Sequence, residues 1–68
     1  MEGVIKRLKA DVGYGFLKCD ATGTEYFFHR SGLAPGTRFE HLTEAMRVAF
    51  EEDAPGEKGP RARDVRAA

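Results

Sequence analysis

The sequence has no tryptophan, one cysteine, two histidines and no net charge, and each shortage removes a class of protein. Cys19 alone forms no internal disulfide, and no Cys/His cluster has the spacing of a structural zinc site. The longest apolar runs are a few residues, far short of the ~20 that span a bilayer. No apolar stretch follows a basic N-terminus, so a secretory leader is not expected. His29 and His41 have no Ser, Asp or Cys arrangement to organise them for nucleophilic or acid–base chemistry, and no glycine-rich loop ends in Lys-Ser/Thr. What remains is a 68-residue chain expected to be one domain, residues 1–68, held together by packing alone. A core of that size supplies ~3–5 kcal/mol net, which leaves little room for a buried catalytic centre. Neither enzymatic activity nor a cofactor is expected, and surface binding becomes the leading class.

Short extended segments dominate what is present. Gly3–Leu8 carries β-branched Val4 and Ile5, Gly13–Lys18 places Tyr14 and Phe16 two apart, and Glu25–Arg30 holds Tyr26, Phe27, Phe28 and His29. The turn residues Asp20–Thr24 join the second and third segments as a hairpin. A long connection, Ser31–Thr43, contains the Pro35-Gly36 turn, and Leu42–Met46 is long enough for one helical turn. Arg47–Glu51 alternates as a fourth strand with Val48 and Phe50 inward. Glu52–Pro60 reads as an acidic loop, and Arg61–Arg66 as a short fifth strand offering Ala62 and Val65. Five short strands with a long connection after the third describe a small all-β antiparallel barrel. Its expected core is Ile5, Leu17, Tyr26, Phe28, Val48, Phe50 and Val65.

Successive side chains of a strand point to opposite faces. Tyr14 and Phe16 therefore share a face, and pairing with the third strand can add Phe27 and His29 to it. Flat rings at strand spacing form a platform on which unpaired bases stack. Gly13 and Gly15, flanking Tyr14, would remove side chains that crowd a stacked ring, and Gly15 would also let the strand coil strongly, as a small barrel requires. The opposite face of the third strand also carries rings, Tyr26 and Phe28, so periodicity alone leaves the choice of inner face open. Lys6, Arg7, Lys9, Lys18 and Arg30 cluster in or beside these strands, whereas the acidic excess sits at Glu51-Glu52-Asp53 and Glu57. A neutral total can thus hide a positive and a negative face.

Six segments in order resemble the cold-shock domain family. Gly13-Tyr14-Gly15-Phe16-Leu17 resembles its first ribonucleoprotein motif and Tyr26-Phe27-Phe28-His29 its second. Glu2–Lys6 is similar to the opening strand, and Ser31-Gly32-Leu33 to the segment after the second motif. Leu42-Thr43-Glu44 with Val48–Glu51, and Lys58–Val65, are similar to the family's later segments. The resemblance implies a five-stranded antiparallel Greek-key OB-fold barrel that binds single-stranded RNA or DNA across its first three strands. It also implies that Tyr14, Phe16, Phe27 and His29 are the stacking face. Lys6 matches a cation near the nucleic-acid backbone, Phe39 a further exposed aromatic in the long connection, and Lys58 a basic position in the last loop. The chain departs from the pattern where Arg7-Leu8-Lys9 replaces Trp-Phe-Asn, Val12 replaces a lysine, and Arg30 replaces an aromatic. Arg7 and Arg30 are candidates to replace part of the lost stacking, because a guanidinium both stacks on bases and neutralises phosphate. The expectation is a cytoplasmic monomer with no membrane partner, acting as an RNA chaperone or a regulator of transcription or translation. The alternative is an OB barrel turned protein-interaction module.

Overall fold

Five runs of alternating character become five strands: β1 (Glu2–Lys9), β2 (Tyr14–Cys19), β3 (Glu25–His29), β4 (Arg47–Gly56) and β5 (Gly59–Ala67). The computed structural model describes residues 1–68. The strands close in the order β1-β2-β3-β5-β4. The β1–β2, β2–β3, β1–β4 and β4–β5 pairings are antiparallel, and the ring closes through a parallel contact of β3 with β5, where Phe27 faces Arg61. Two 3₁₀ turns, Arg30–Gly32 and Phe39–His41, punctuate the connection from β3 to β4. The helical turn expected at Leu42–Met46 is absent. Its place is taken by backbone that continues the β1 ladder, with Ala45 N–H donating to the Ile5 carbonyl and Ile5 N–H to that of Met46. The last two strands are longer than their sequence announced. Most of the stretch read as an acidic loop is strand, and the hairpin turns only at Glu57-Lys58. The β4–β5 pairing runs through this stretch, with Glu52 opposite Ala62, Asp53 opposite Arg61 and Gly56 opposite Gly59, and Glu51 reaches diagonally to Arg66 at 3.8 Å.

A closed single-layer barrel has one interior. Ile5, Leu17, Tyr26, Phe28, Val48, Phe50 and Val65 all lie in it, joined by Cys19, Leu42 and Ala62. Phe28 and Phe50 are fully buried, and the Tyr26 and Phe50 rings pack at 5.1 Å. The inner face of β3 is therefore Tyr26 and Phe28.

Gly15 faces inward as well. A Cβ there would stand 2.6 Å from the Arg7 carbonyl oxygen and 2.9 Å from the tip of the Phe28 ring. Its missing side chain makes room for Phe28 and for the approach of β1, rather than for a stacked base as its position beside Tyr14 had implied. Gly13, at φ +77°, takes a left-handed turn conformation that glycine adopts without steric cost.

Strict alternation breaks at two informative places. In β1, Ile5 pairs with Leu17 but Arg7 with Phe16, so Lys6 is an extra residue at a bulge. Lys6 and Arg7 are consequently both exposed, and Leu8 returns toward the core. In β5, Asp64 adopts φ 53°, a conformation that Asp tolerates better than most residues. That kink lets Ala62 and Val65, three apart, both face inward.

Two tests follow from this core. Phe28→Ala should cost about 3–5 kcal/mol, comparable with the whole net stability of a core this small, and far-ultraviolet circular dichroism should show a largely unfolded chain. Partial desolvation of the Tyr26 phenol raises its pKa above the usual 10, helped by the negative charge of Glu52 and by Cys19. The folded state then keeps this proton where the unfolded chain loses it. The Tyr26 contribution to stability should be intact below pH 10 and decline as pH rises beyond it. Chemical denaturation from pH 8 to 11 should show a steeper loss for the wild type than for Tyr26→Phe.

Candidate nucleic-acid interface

The register of the β2–β3 hairpin builds the outer face. Tyr14 pairs with His29, Phe16 with Phe27, and Lys18 with Glu25, and all four ring-bearing side chains of the first two pairs are half-buried. The three aromatic rings form a mutual cluster. Phe16 and Phe27 are edge-to-face with centroids 5.8 Å apart, Tyr14 and Phe27 are tilted at 5.4 Å, and Tyr14 meets Phe16 edge-on at 6.1 Å. Each ring is held by the other two, so little side-chain freedom is left to lose when a base stacks.

His29 closes one end of the cluster. Its Nδ1 accepts from the Ser31 backbone N–H at 3.1 Å and lies 3.0 Å from the Ser31 hydroxyl, capping the 3₁₀ turn that follows β3. With Nδ1 occupied as an acceptor, the proton of the neutral ring sits on Nε2, which becomes its donor.

Cations border the rings on two sides. On the β1 side, Lys6, Arg7, Phe16 and Glu25 line a shallow cleft of about 290 Å³. The bulge at Lys6 is what brings two consecutive cations to the same ring. On the β4–β5 side, Phe27 floors a second cleft of about 220 Å³ walled by Gly56, Glu57, Lys58, Gly59 and Arg61. Lys58 Nζ stands 5.5 Å from the Tyr14 ring centre and 5.8 Å from that of Phe27, and the Arg61 guanidinium lies 5.8 Å from Phe27.

The charges are sorted by partner. Arg38, Arg47, Arg61, Arg63 and Arg66 form ion pairs, Arg47 with both Glu2 and Asp20. Lys6, Arg7, Lys9, Lys18, Arg30 and Lys58 form none. Those six sit on β1 and β2, directly after β3, or in the turn over the rings. A chain of zero formal charge thus sets three cations without ion pairs, Lys6, Arg7 and Lys58, beside its outward-facing rings.

Most of the residues singled out in the sequence converge here. Lys6, Arg7, Tyr14, Phe16, Phe27, His29 and Lys58 surround one surface. Arg30 lies at its margin, its side-chain stem against Gly13 and its backbone N–H donating to the Gly13 carbonyl. Phe39 does not join the face. It is half-buried against the core, its ring 6.3 Å from that of Phe28. Arg61 was missed, because its place over Phe27 comes from the parallel β3–β5 contact, which no local pattern encodes.

A five-stranded barrel closed in this order, with rings and free cations on its first three strands, is an oligonucleotide-binding barrel. All of residues 1–68 match the family model described as the "Cold-shock" DNA-binding domain, and the chain belongs to that family of nucleic-acid-binding proteins. Among its relatives, the "Cold shock-like protein CspA" of Bordetella pertussis is 40% identical over 63 residues, covering 93% of this chain and 91% of the relative. "Cold shock protein 2" of Lactiplantibacillus plantarum is 35% identical over the same shares. "Cold shock-like protein CspG" of Escherichia coli K12 is 32% identical over 65 residues, 96% of this chain and 90% of the relative.

The geometry separates surface rings from core rings. Phe16→Ala and Phe27→Ala should each weaken single-strand binding by about 1–3 kcal/mol, with a cooperative unfolding transition retained. Isothermal titration with a short pyrimidine strand, together with thermal melts, checks both halves of that expectation. Unfolding of either variant alongside a stable Phe28→Ala protein would overturn the assignment of faces.

Proposed function

We propose that the protein binds single-stranded RNA or DNA across the outer face of β1, β2 and β3, and that it acts without catalysis as a cytoplasmic, monomeric RNA chaperone or regulator of transcription or translation. The observation that carries this reading is the coincidence of two independent features on one surface. Three mutually packed rings face outward, and Lys6, Arg7 and Lys58, which form no ion pair, stand beside them.

The mechanism is competitive. A base stacked on Tyr14, Phe16 or Phe27 is unavailable to stack on or pair with its neighbours, so a weak hairpin stays open while the protein is bound. Binding only the open strand shifts the equilibrium by mass action, and no nucleotide hydrolysis is required. Lys6, Arg7 and Lys58 neutralise phosphates on either side of the rings, and Nε2–H of His29 donates at one end.

With no tryptophan in the chain, emission comes from Tyr14 and Tyr26, and only Tyr14 is on the proposed surface. Titration with short homopolymers at two salt concentrations should quench the wild type, and most of the quench should vanish in Tyr14→Phe. Arg7 and Arg30 stand where the family usually carries rings, and their contribution has a separate signature. Each phosphate neutralised on a single strand steepens the log–log salt dependence by about 0.7. The double variant Arg7→Gln, Arg30→Gln should therefore bind more weakly at low salt, with a slope shallower by up to about 1.4. An unchanged slope and affinity would remove these arginines from the interface and favour a protein partner for this face.

A further inference from the structure

The cleft beside Phe27 combines three kinds of group. Its floor is an aromatic ring, one wall is Arg61, and the turn above contributes Glu57, Lys58, Gly56 and Gly59. Arg61 is held in place from several directions. Its Nε lies 4.0 Å from an Asp53 carboxylate oxygen, and its guanidinium is 5.8 Å from the Phe27 ring centre. Nη1 runs beside Gly56, where a Cβ would stand 3.7 Å away. Asp53 lies on the Nε side of the fork beyond hydrogen-bond distance, and the terminal nitrogens remain for a ligand. Glu57 makes no ion pair.

We propose that this cleft is a guanine subsite and that Arg61 sets its preference, one selective position on an otherwise sequence-tolerant surface. The proposal deepens the single-strand reading above and rests on it. Guanine presents two adjacent acceptors, O6 and N7, which match the two donors of an arginine fork. The adjoining edge, on the other side of O6, presents N1–H and the 2-amino group, two adjacent donors that match a carboxylate. The ring between them stacks on Phe27. Adenine places an amino donor where O6 would be and meets the guanidinium donor to donor. Cytosine likewise offers an amino donor, and thymine or uracil offers a single acceptor on that edge. Of the bases, guanine alone has acceptors for Arg61 and paired donors for Glu57.

The test measures relative affinity of the full chain for labelled hexamers by fluorescence anisotropy. The reference is a thymidine hexamer, and the others carry one central guanine, adenine, inosine or 7-deazaguanine. The guanine strand should bind about five- to hundredfold more tightly than the adenine strand, the range expected of one good bidentate contact. Inosine lacks the 2-amino group and 7-deazaguanine lacks N7, so each should lose part of the advantage. Arg61→Lys keeps the charge and removes the planar fork, and the ratio of guanine to adenine affinity should fall toward one, whatever happens to absolute affinity. Glu57 lies on the exposed turn, so Glu57→Gln is expected to fold normally. It should reduce the same ratio, with no further loss when inosine replaces guanine, because the two changes remove one contact. Wild-type protein that binds the thymidine hexamer but treats guanine and adenine alike overturns the guanine subsite alone. A ratio unaffected by Arg61→Lys overturns the role of Arg61. Failure to bind any strand overturns the single-strand reading and this proposal together.

Discussion

The fit of Phe28 beneath Gly15 is the constraint on which the molecule depends. The ring is fully buried, and it reaches to where a side chain at position 15 would begin. The Arg7 carbonyl closes on the same glycine from β1. One contact thus pins three strands. Because strand side chains alternate, a slip of one residue would turn Phe28 out and Phe27 in. With Phe28 inside, Tyr14, Phe16, Phe27 and His29 are outside together. The outer aromatic face is therefore a consequence of the packing of the core, and the register that buries one phenylalanine turns the other outward.

The two departures from alternation matter as much as the pattern. An uninterrupted β1 would place Arg7 on the face of Ile5, where a guanidinium without a partner would be costly to bury. The extra residue at Lys6 avoids that cost and sets two cations beside Phe16. In β5 the left-handed Asp64 brings Val65 into a core that would otherwise receive a charged side chain. Both irregularities lie on strands that flank the β2–β3 hairpin, and they let a short chain fill its interior while keeping its charges outside.

Electrostatics divides the surface in a way that net charge conceals. The β4–β5 hairpin answers its acidic residues with arginines across the strands, Glu51 with Arg66 and Asp53 with Arg61. Exposed pairs of this kind contribute little stability. Their effect here is to neutralise much of the β4–β5 side, while Lys6, Arg7 and Lys58 stand beside the rings without ion pairs, in clefts they share with Glu25 and Glu57. Attraction of a polyanion to the face of the rings can coexist with a formal charge of zero.

Much of this was legible in the chain. Alternating β-branched and aromatic residues marked the strands, turn residues marked the β2–β3 hairpin, and the two short aromatic motifs marked the rings that cluster on the outer face, because these signals act over a few positions. The choice of inner face was not legible from periodicity, since β3 carries rings on both sides and only closure of the barrel around Phe28 decides between them. The same is true of Gly15, whose neighbours come from β1 and β3, and of Phe39, which settles against Phe28 instead of joining the face. The true length of β4 and β5 depended on pairing between the two strands, and the position of Arg61 over Phe27 on a parallel contact between β3 and β5. Local preference determined which segments extend and which side chains share a face. Tertiary structure decided which face is buried and which cations stand beside the rings, because those outcomes arise from contacts between residues far apart in sequence.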